Sequence, residues 1–276
     1  MRVYCLSIAL TIAGLPVGGH AQWLNYRDST APRTPDGKAN LSAPAPRIHG
    51  KPDLSGIWEV EGSPRKQLEP FLLPGGINGL GEDDPNLYFI NFFYDFGFGK
   101  EPFRPEAAAL FQKQMGSGAK PATLCPPPSL PVSDILPAPF KIIQLPRTTL
   151  FLYEGDTTFR QIFTDGRKLP EDPQPSWLGY SVGKWEGDWF VIETVGFNDK
   201  GPLDAMGHFH SEAMRLTERI RRRDFGHMEM ELTVDDPKTY TQPVTDHVNF
   251  RLLPDTELME SFCSEGEQDL AHMRGQ

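Results

Sequence analysis

The chain has 276 residues, with 27 Lys and Arg against 37 Asp and Glu, for a net charge of −10. Such a balance offers no positive field to gather phosphates, so nucleic acid and anionic membrane surfaces are excluded as expected partners. The length is enough for one full core, and no cofactor-binding motif stands out.

In chain order, residues 1–22 read MRVYCLSIALTIAGLPVGGHAQ. Arg2 gives a positive start, an apolar run follows, and Gly19-His20-Ala21 is a small-residue end. This is the pattern of a secretory signal peptide cleaved after Ala21. The run is too short for a membrane anchor, and Cys5 lies too early for a lipoprotein cleavage site. The expectation is an exported protein, periplasmic or extracellular, with no membrane insertion. Cys125 and Cys263 are the two cysteines beyond the leader, and outside the cytoplasm an even pair favours a disulfide.

Residues 22–55 are rich in Pro, Ala, Asp and Asn and carry the echo GKANLS (37–42) and GKPDLS (50–55). They are expected to form an extended arm. GIWEV (56–60) is the first predicted strand. In 86–99, NLYFINFFYDFGFG holds too many aromatics for a solvated loop, so it is expected to cover something apolar. RPEAAALFQKQM (104–115) predicts a helix, with Pro105 at its first position and Gly116 at its end. CPPPSLPVSDILPAP (125–139) is too proline-rich for a strand ladder and is expected to be irregular.

From 140 onward the sequence changes to short segments rich in β-branched and aromatic residues: 140–145, 148–154, 158–165, 178–186, 188–197, 213–222, 227–234, 246–253 and 257–263. Turn residues separate most of them, as in GD (155–156), EGD (186–188) and DFG (224–226). Many short strands with tight turns predict an antiparallel meander, and a meander of about ten strands closes to remove its edges. The fold class expected is therefore mainly β: an up-and-down barrel of lipocalin or calycin type. Residues 56–276 would form a single domain, with 61–139 as a lid or insertion and 140–263 as the main strands.

Alternation divides each strand into two faces. Met214, Leu216, Glu218 and Ile220 form one inward set, and Met228, Met230, Leu232 and Val234 another. The same reasoning puts Glu193 among Trp189, Val191 and Val195, and Glu260 between Leu258 and Phe262. Three carboxylates, Glu193, Glu218 and Glu260, are thus expected on apolar faces, where burial raises a carboxyl's proton affinity and makes a general acid or base. Gly179, Ser181 and Gly183 share a face of little side-chain volume, which leaves room for a ligand or marks a bend.

His208 and His210 point the same way if the segment is extended. With Glu212 or Asp204 they could hold a metal, but no third metal histidine is near and no metal is assigned. A nucleophilic serine is weaker still, since no G-x-S-x-G is present. A more economical reading puts His208 or His210 at the barrel mouth as an acid/base or hydrogen-bonding group, and the alternative is a loop histidine that caps nearby carbonyls.

The motifs PRTPDGK (32–38), GKPDLSGIW (50–58), RQIFTDGR (160–167), GYSVGKWEGD (179–188), ETVGFND (193–199), GHFHSEAMRLTER (207–219) and TVDDPKTYTQP (233–243) span nearly all the chain beyond the leader. Together they resemble a widespread, largely uncharacterised family of exported bacterial proteins. The resemblance implies a barrel-like exported domain and no established reaction. Gly56-Ile57-Trp58 also matches the G-x-W of lipocalins.

The functional expectation is a barrel that binds a small apolar or aromatic molecule and acts on it by acid/base chemistry, as a lyase, isomerase or hydrolase without a cofactor. Glu218, Glu193, His208 and His210 are the acid/base candidates. Arg160, Tyr180, Ser181, Asn198 and Glu260 are the candidate ligand contacts, Arg160 as anchor for an anionic group. The alternatives are a carrier or scaffold without chemistry, and a metal-dependent enzyme built on His208 and His210. Oligomeric state stays open.

Overall fold

The computed structural model describes residues 27–69, 86–116 and 127–262. The predicted leader and both cysteines, Cys125 and Cys263, lie outside the described residues.

The chain forms a closed barrel, in agreement with the expected fold class. Its strands are β3 (Gly56–Val60), β4 (Phe140–Gln144), β5 (Thr148–Tyr153), β6 (Thr158–Phe163), β7 (Tyr180–Glu186), β8 (Trp189–Val195), β9 (Arg215–Arg222), β10 (His227–Asp235) and β11 (Val244–Leu252). A short hairpin of β1 (Arg47–Ile48) and β2 (Lys51–Pro52) precedes them. Each barrel strand pairs with its neighbours in sequence, and β11 returns to β3 through Phe250–Val60 and Leu252–Trp58 to close the ring. Closure leaves no unpaired edge.

Nine strands impose a constraint. Direction reverses at every antiparallel neighbour, and an odd ring cannot reverse at every step and still match its start. At least one pair must be parallel. That pair is β6–β7, through Ile162–Ser181 and Phe163–Val182. The connection, residues 164–179, therefore runs back along the barrel's outside before β7 begins.

Two predicted placements fail on this architecture. Residues 257–262 were expected as a tenth strand but are irregular, because β10 and β3 already occupy both edges of β11. Glu260 is exposed there, not on an inward face. In β8 the inward set is Phe190, Ile192 and Thr194, all inaccessible to solvent. Glu193 points outward and lies 3.8 Å from Lys184. The other sets hold: Leu216, Glu218 and Ile220, and Met228, Met230, Leu232 and Val234, are all buried.

The register defines two ends. At the bottom, where β9 turns into β10, Trp58 donates its indole N–H to the Leu54 carbonyl at 2.9 Å. The Arg222 guanidinium lies 4.9 Å over the indole ring and donates to the Asp53 carbonyl at 2.6 Å. At the top, α2 (Leu87–Ile90) leads into Phe92 and Phe93, which are inaccessible and belong to the barrel core. Also in the top layer are α3 (Pro105–Gly116), which starts at the predicted proline, and α4 (Val132–Ile135). The latter is one helical turn inside the stretch expected to be irregular. Helix α1 (Arg65–Leu68) flanks α2 through the Leu68, Leu87 and Ile90 cluster.

Large side chains fill the barrel interior. Trp58, Phe140, Phe151, Phe190 and Phe250 are all inaccessible. The low-volume face of β7 does not leave a void: a Cβ on Gly183 would lie 2.6 Å from the Phe190 ring and 2.8 Å from the Ile162 side chain. The missing side chain is space already taken by its neighbours.

Candidate functional site

Two groups of polar side chains stand out, one inside the barrel and one at its top. The inner group centres on Arg160. Its Nη1 donates to Glu218 Oε1 at 2.9 Å and its Nη2 to Glu218 Oε2 at 2.5 Å, a fork-to-fork pair. Nε donates to Ser181 Oγ at 3.0 Å and Nη2 also to Thr194 Oγ1 at 2.8 Å. Asp134, brought down by α4, places Oδ2 3.5 Å from Nη1 and accepts the Tyr153 hydroxyl on Oδ1 at 2.6 Å. All of these groups are buried.

One guanidinium thus faces two carboxylates. Burial and the neighbouring Glu218 raise the Asp134 pKa to about 7, against the pull of Arg160. Each Arg160 nitrogen is engaged, and both Glu218 oxygens accept from it, whereas Asp134 Oδ2 is buried without a hydrogen bond. Glu218 sits inward as the alternation predicted, but its partner is Arg160. Buried charges require such pairing.

The upper group centres on His208, which is inaccessible to solvent. Asp204 lies four residues earlier, across the turn 204–207. Its Oδ2 is 2.5 Å from His208 Nδ1, and its Oδ1 accepts the His208 backbone N–H at 3.1 Å. Asp204 is itself held by the Phe92 backbone N–H at 2.7 Å. In the neutral ring, the Asp204 carboxylate favours the tautomer with the proton on Nδ1, which makes Nε2 the acceptor. Nε2 is buried without a hydrogen bond. It faces Glu101 Oε1 at 3.8 Å.

Aromatic rings surround the imidazole. Phe111 of α3 stacks on it at 4.5 Å between centroids, and Phe93 meets it edge-on at 4.8 Å. Phe111 also lines a cavity of about 300 Å³, whose wall includes Met115, Met206, Gly207 and Phe209. Asp199 and Lys200 stand at its margin.

The two histidines separate instead of acting as a pair. His210 faces the Ser211 carbonyl with Nδ1 at 3.0 Å and meets Phe197 edge-on at 5.8 Å. Burial lowers its pKa. Among the described residues no group of three His, Cys, Asp or Glu side chains is placed to hold a metal ion.

The remaining candidates scatter. Ser181 belongs to the inner network. Tyr180 is on the outer face, where its hydroxyl accepts from Arg167 Nη1 at 3.1 Å. Asn198 shapes a turn by accepting the Lys200 backbone N–H at 3.1 Å. Sequence reading missed Asp134, Tyr153 and Thr194 in the inner network and Glu101 and Phe111 around His208. Asp204 was named from the sequence only as one of two carboxylates, with Glu212, that could join the histidines on a metal. Asp246, on the inward face of β11, also went unnoticed. It is buried with Oδ2 unpaired, and burial raises its pKa to about 9.

Comparison of the chain with protein-family models, curated proteins and solved structures finds no match.

Proposed function

We propose that this exported barrel protein binds a small, mainly apolar or aromatic molecule at its top and performs acid/base chemistry on it through His208. The single observation carrying this reading is the His208–Asp204 pair beside the cavity. One ring nitrogen is fixed by a carboxylate, the other is buried without a hydrogen bond, and the Phe111 ring that stacks on the imidazole also lines a space of about 300 Å³. A base oriented by a third group is the arrangement that general-base catalysis needs. The cavity's Met and Phe walls suit an apolar body, and its size falls at the lower end for small-molecule sites.

In this reading the bound molecule displaces the Phe111 ring to reach His208 Nε2, which takes a proton from it and returns it elsewhere, as in a lyase or isomerase, or activates a water for hydrolysis. Glu218 is not part of the step, because Arg160 neutralises it. The test is a panel of small phenols and aromatic ketones, followed by calorimetry and product analysis. Met206→Trp, which fills the cavity, should abolish binding, whereas His208→Gln should leave binding within a few fold and abolish turnover. Binding without turnover in the unaltered protein would establish a carrier instead. Release of a protein starting at Gln22 from a secreting bacterial host tests the export part.

A further inference from the structure

The parallel step between β6 and β7 has a consequence on the outside of the barrel. The crossover that it requires packs residues 166–169 over the outer face of β7 and β8. Between them lies a groove of about 400 Å³, lined by Arg167, Lys168, Leu169, Val182, Lys184 and Val191, with Glu193 at one edge. Its floor is apolar through Val182, Val191 and Leu169. Its rim is cationic, in a chain whose net charge is −10.

The cations are not equivalent. Arg167 is held in place: it donates to Asp165 through Nε at 2.9 Å and Nη2 at 2.6 Å, and its guanidinium lies 3.9 Å over the Phe163 ring. Asp165 is shared, since Arg147 reaches it at 3.3 Å, so two guanidiniums face one carboxylate. Lys184 lies 3.1 Å from Glu186 and 3.8 Å from Glu193. Lys168 makes no ion pair among the described residues. The rim therefore keeps an excess of positive charge above an apolar floor.

We propose that this groove is a binding site for a small amphiphilic anion, a monocarboxylate whose apolar body lies on Val182 and Val191 while its carboxylate meets Lys168 and the edge of Arg167. The site is separate from the His208 cavity, since it is built from the crossover and the outer faces of β7 and β8. Charge complementarity selects the occupant. A neutral aromatic gains only the floor, and a phosphorylated or polyanionic ligand has no apolar need for it.

The test is calorimetric titration of the full chain with phenylacetate and with its uncharged counterpart phenylacetamide. Phenylacetate should bind saturably, and phenylacetamide about two- to fivefold more weakly, the weight of a charge contact at an exposed site. Raising the salt should weaken phenylacetate binding. Lys168→Glu should weaken it by about fivefold, and Val182→Glu should abolish it, while thermal unfolding of both variants stays close to that of the parent. His208→Gln should leave it unchanged, which keeps this result distinct from the fate of the upper cavity. Equal affinity for the acid and the amide, absence of binding, or indifference to Lys168→Glu would overturn the proposal.

Discussion

Arg160 of β6 and Glu218 of β9 meet fork to fork inside the barrel, with β7 and β8 between their strands. The pair ties strands that share no ladder. It is completed from β7 by Ser181, from β8 by Thr194 and from α4 by Asp134. Removing one member leaves the others buried and uncompensated. Arg160→Met is expected to cost about 3–5 kcal/mol of stability, measured by urea unfolding. The double variant Arg160→Met, Glu218→Gln should recover a large part of that loss, because the remaining Asp134 can keep its proton. A double variant as unstable as the sum of its two single changes would mean that the pair is not the source of the cost.

Stability should fall as pH rises, through two buried carboxyls. Asp134 and Asp246 have an ordinary value of 3.8 but in the fold hold their protons to about 7 and about 9, chiefly because burial disfavours the charged form. Between 3.8 and the folded value, folding takes up a proton, so each unit of pH costs stability across that window. Asp246→Asn removes this dependence while keeping the shape. Its advantage over the parent should be absent near pH 4 and grow steadily toward pH 9, read from unfolding midpoints at a series of pH values. A constant offset would show that Asp246 does not titrate this way.

Gly183 tests whether the barrel interior is filled. Its backbone φ is not in the left-handed region, so a methyl group there meets only packing. With the Phe190 ring 2.6 Å and Ile162 2.8 Å from the added Cβ, Gly183→Ala should cost about 1–3 kcal/mol. The companion change Phe190→Leu should offset part of it. A neutral or stabilising Gly183→Ala would reveal unfilled space along β7.

Phe111 both stacks on His208 and lines the cavity, and truncating it should join the two. Phe111→Ala is expected to cost about 3 kcal/mol and to raise the rate at which diethyl pyrocarbonate modifies His208, followed by mass spectrometry of the peptide. In the parent protein the imidazole is inaccessible, so modification should be slow. Equal rates in both would place the access route elsewhere.

The meander itself was legible because period-2 patterning and turn residues are local properties. So were the inward faces of β9 and β10, where apolar and polar residues alternate cleanly. Strand β8 was ambiguous, since Trp189, Val191 and Val195 on one face are as apolar as Phe190 and Ile192 on the other. Crossover residues 166–169 line one groove with that outer face, and Val191 is buried although it points away from the core.

By itself the sequence determined a mainly β barrel, the position of α3, the inward carboxylate Glu218 and the interest of His208. Tertiary structure alone decided the partners: Asp134, 26 residues before Arg160, and Glu218, 58 after it, meet in one network, and Phe111 comes from a distant helix to cover His208. It also decided that an odd ring needs a parallel step, which builds the outer groove. The reason is physical. Strand propensity and alternation act between near neighbours, whereas neutralising a buried charge or closing a ring depends on which distant segments the whole fold brings within a few ångströms.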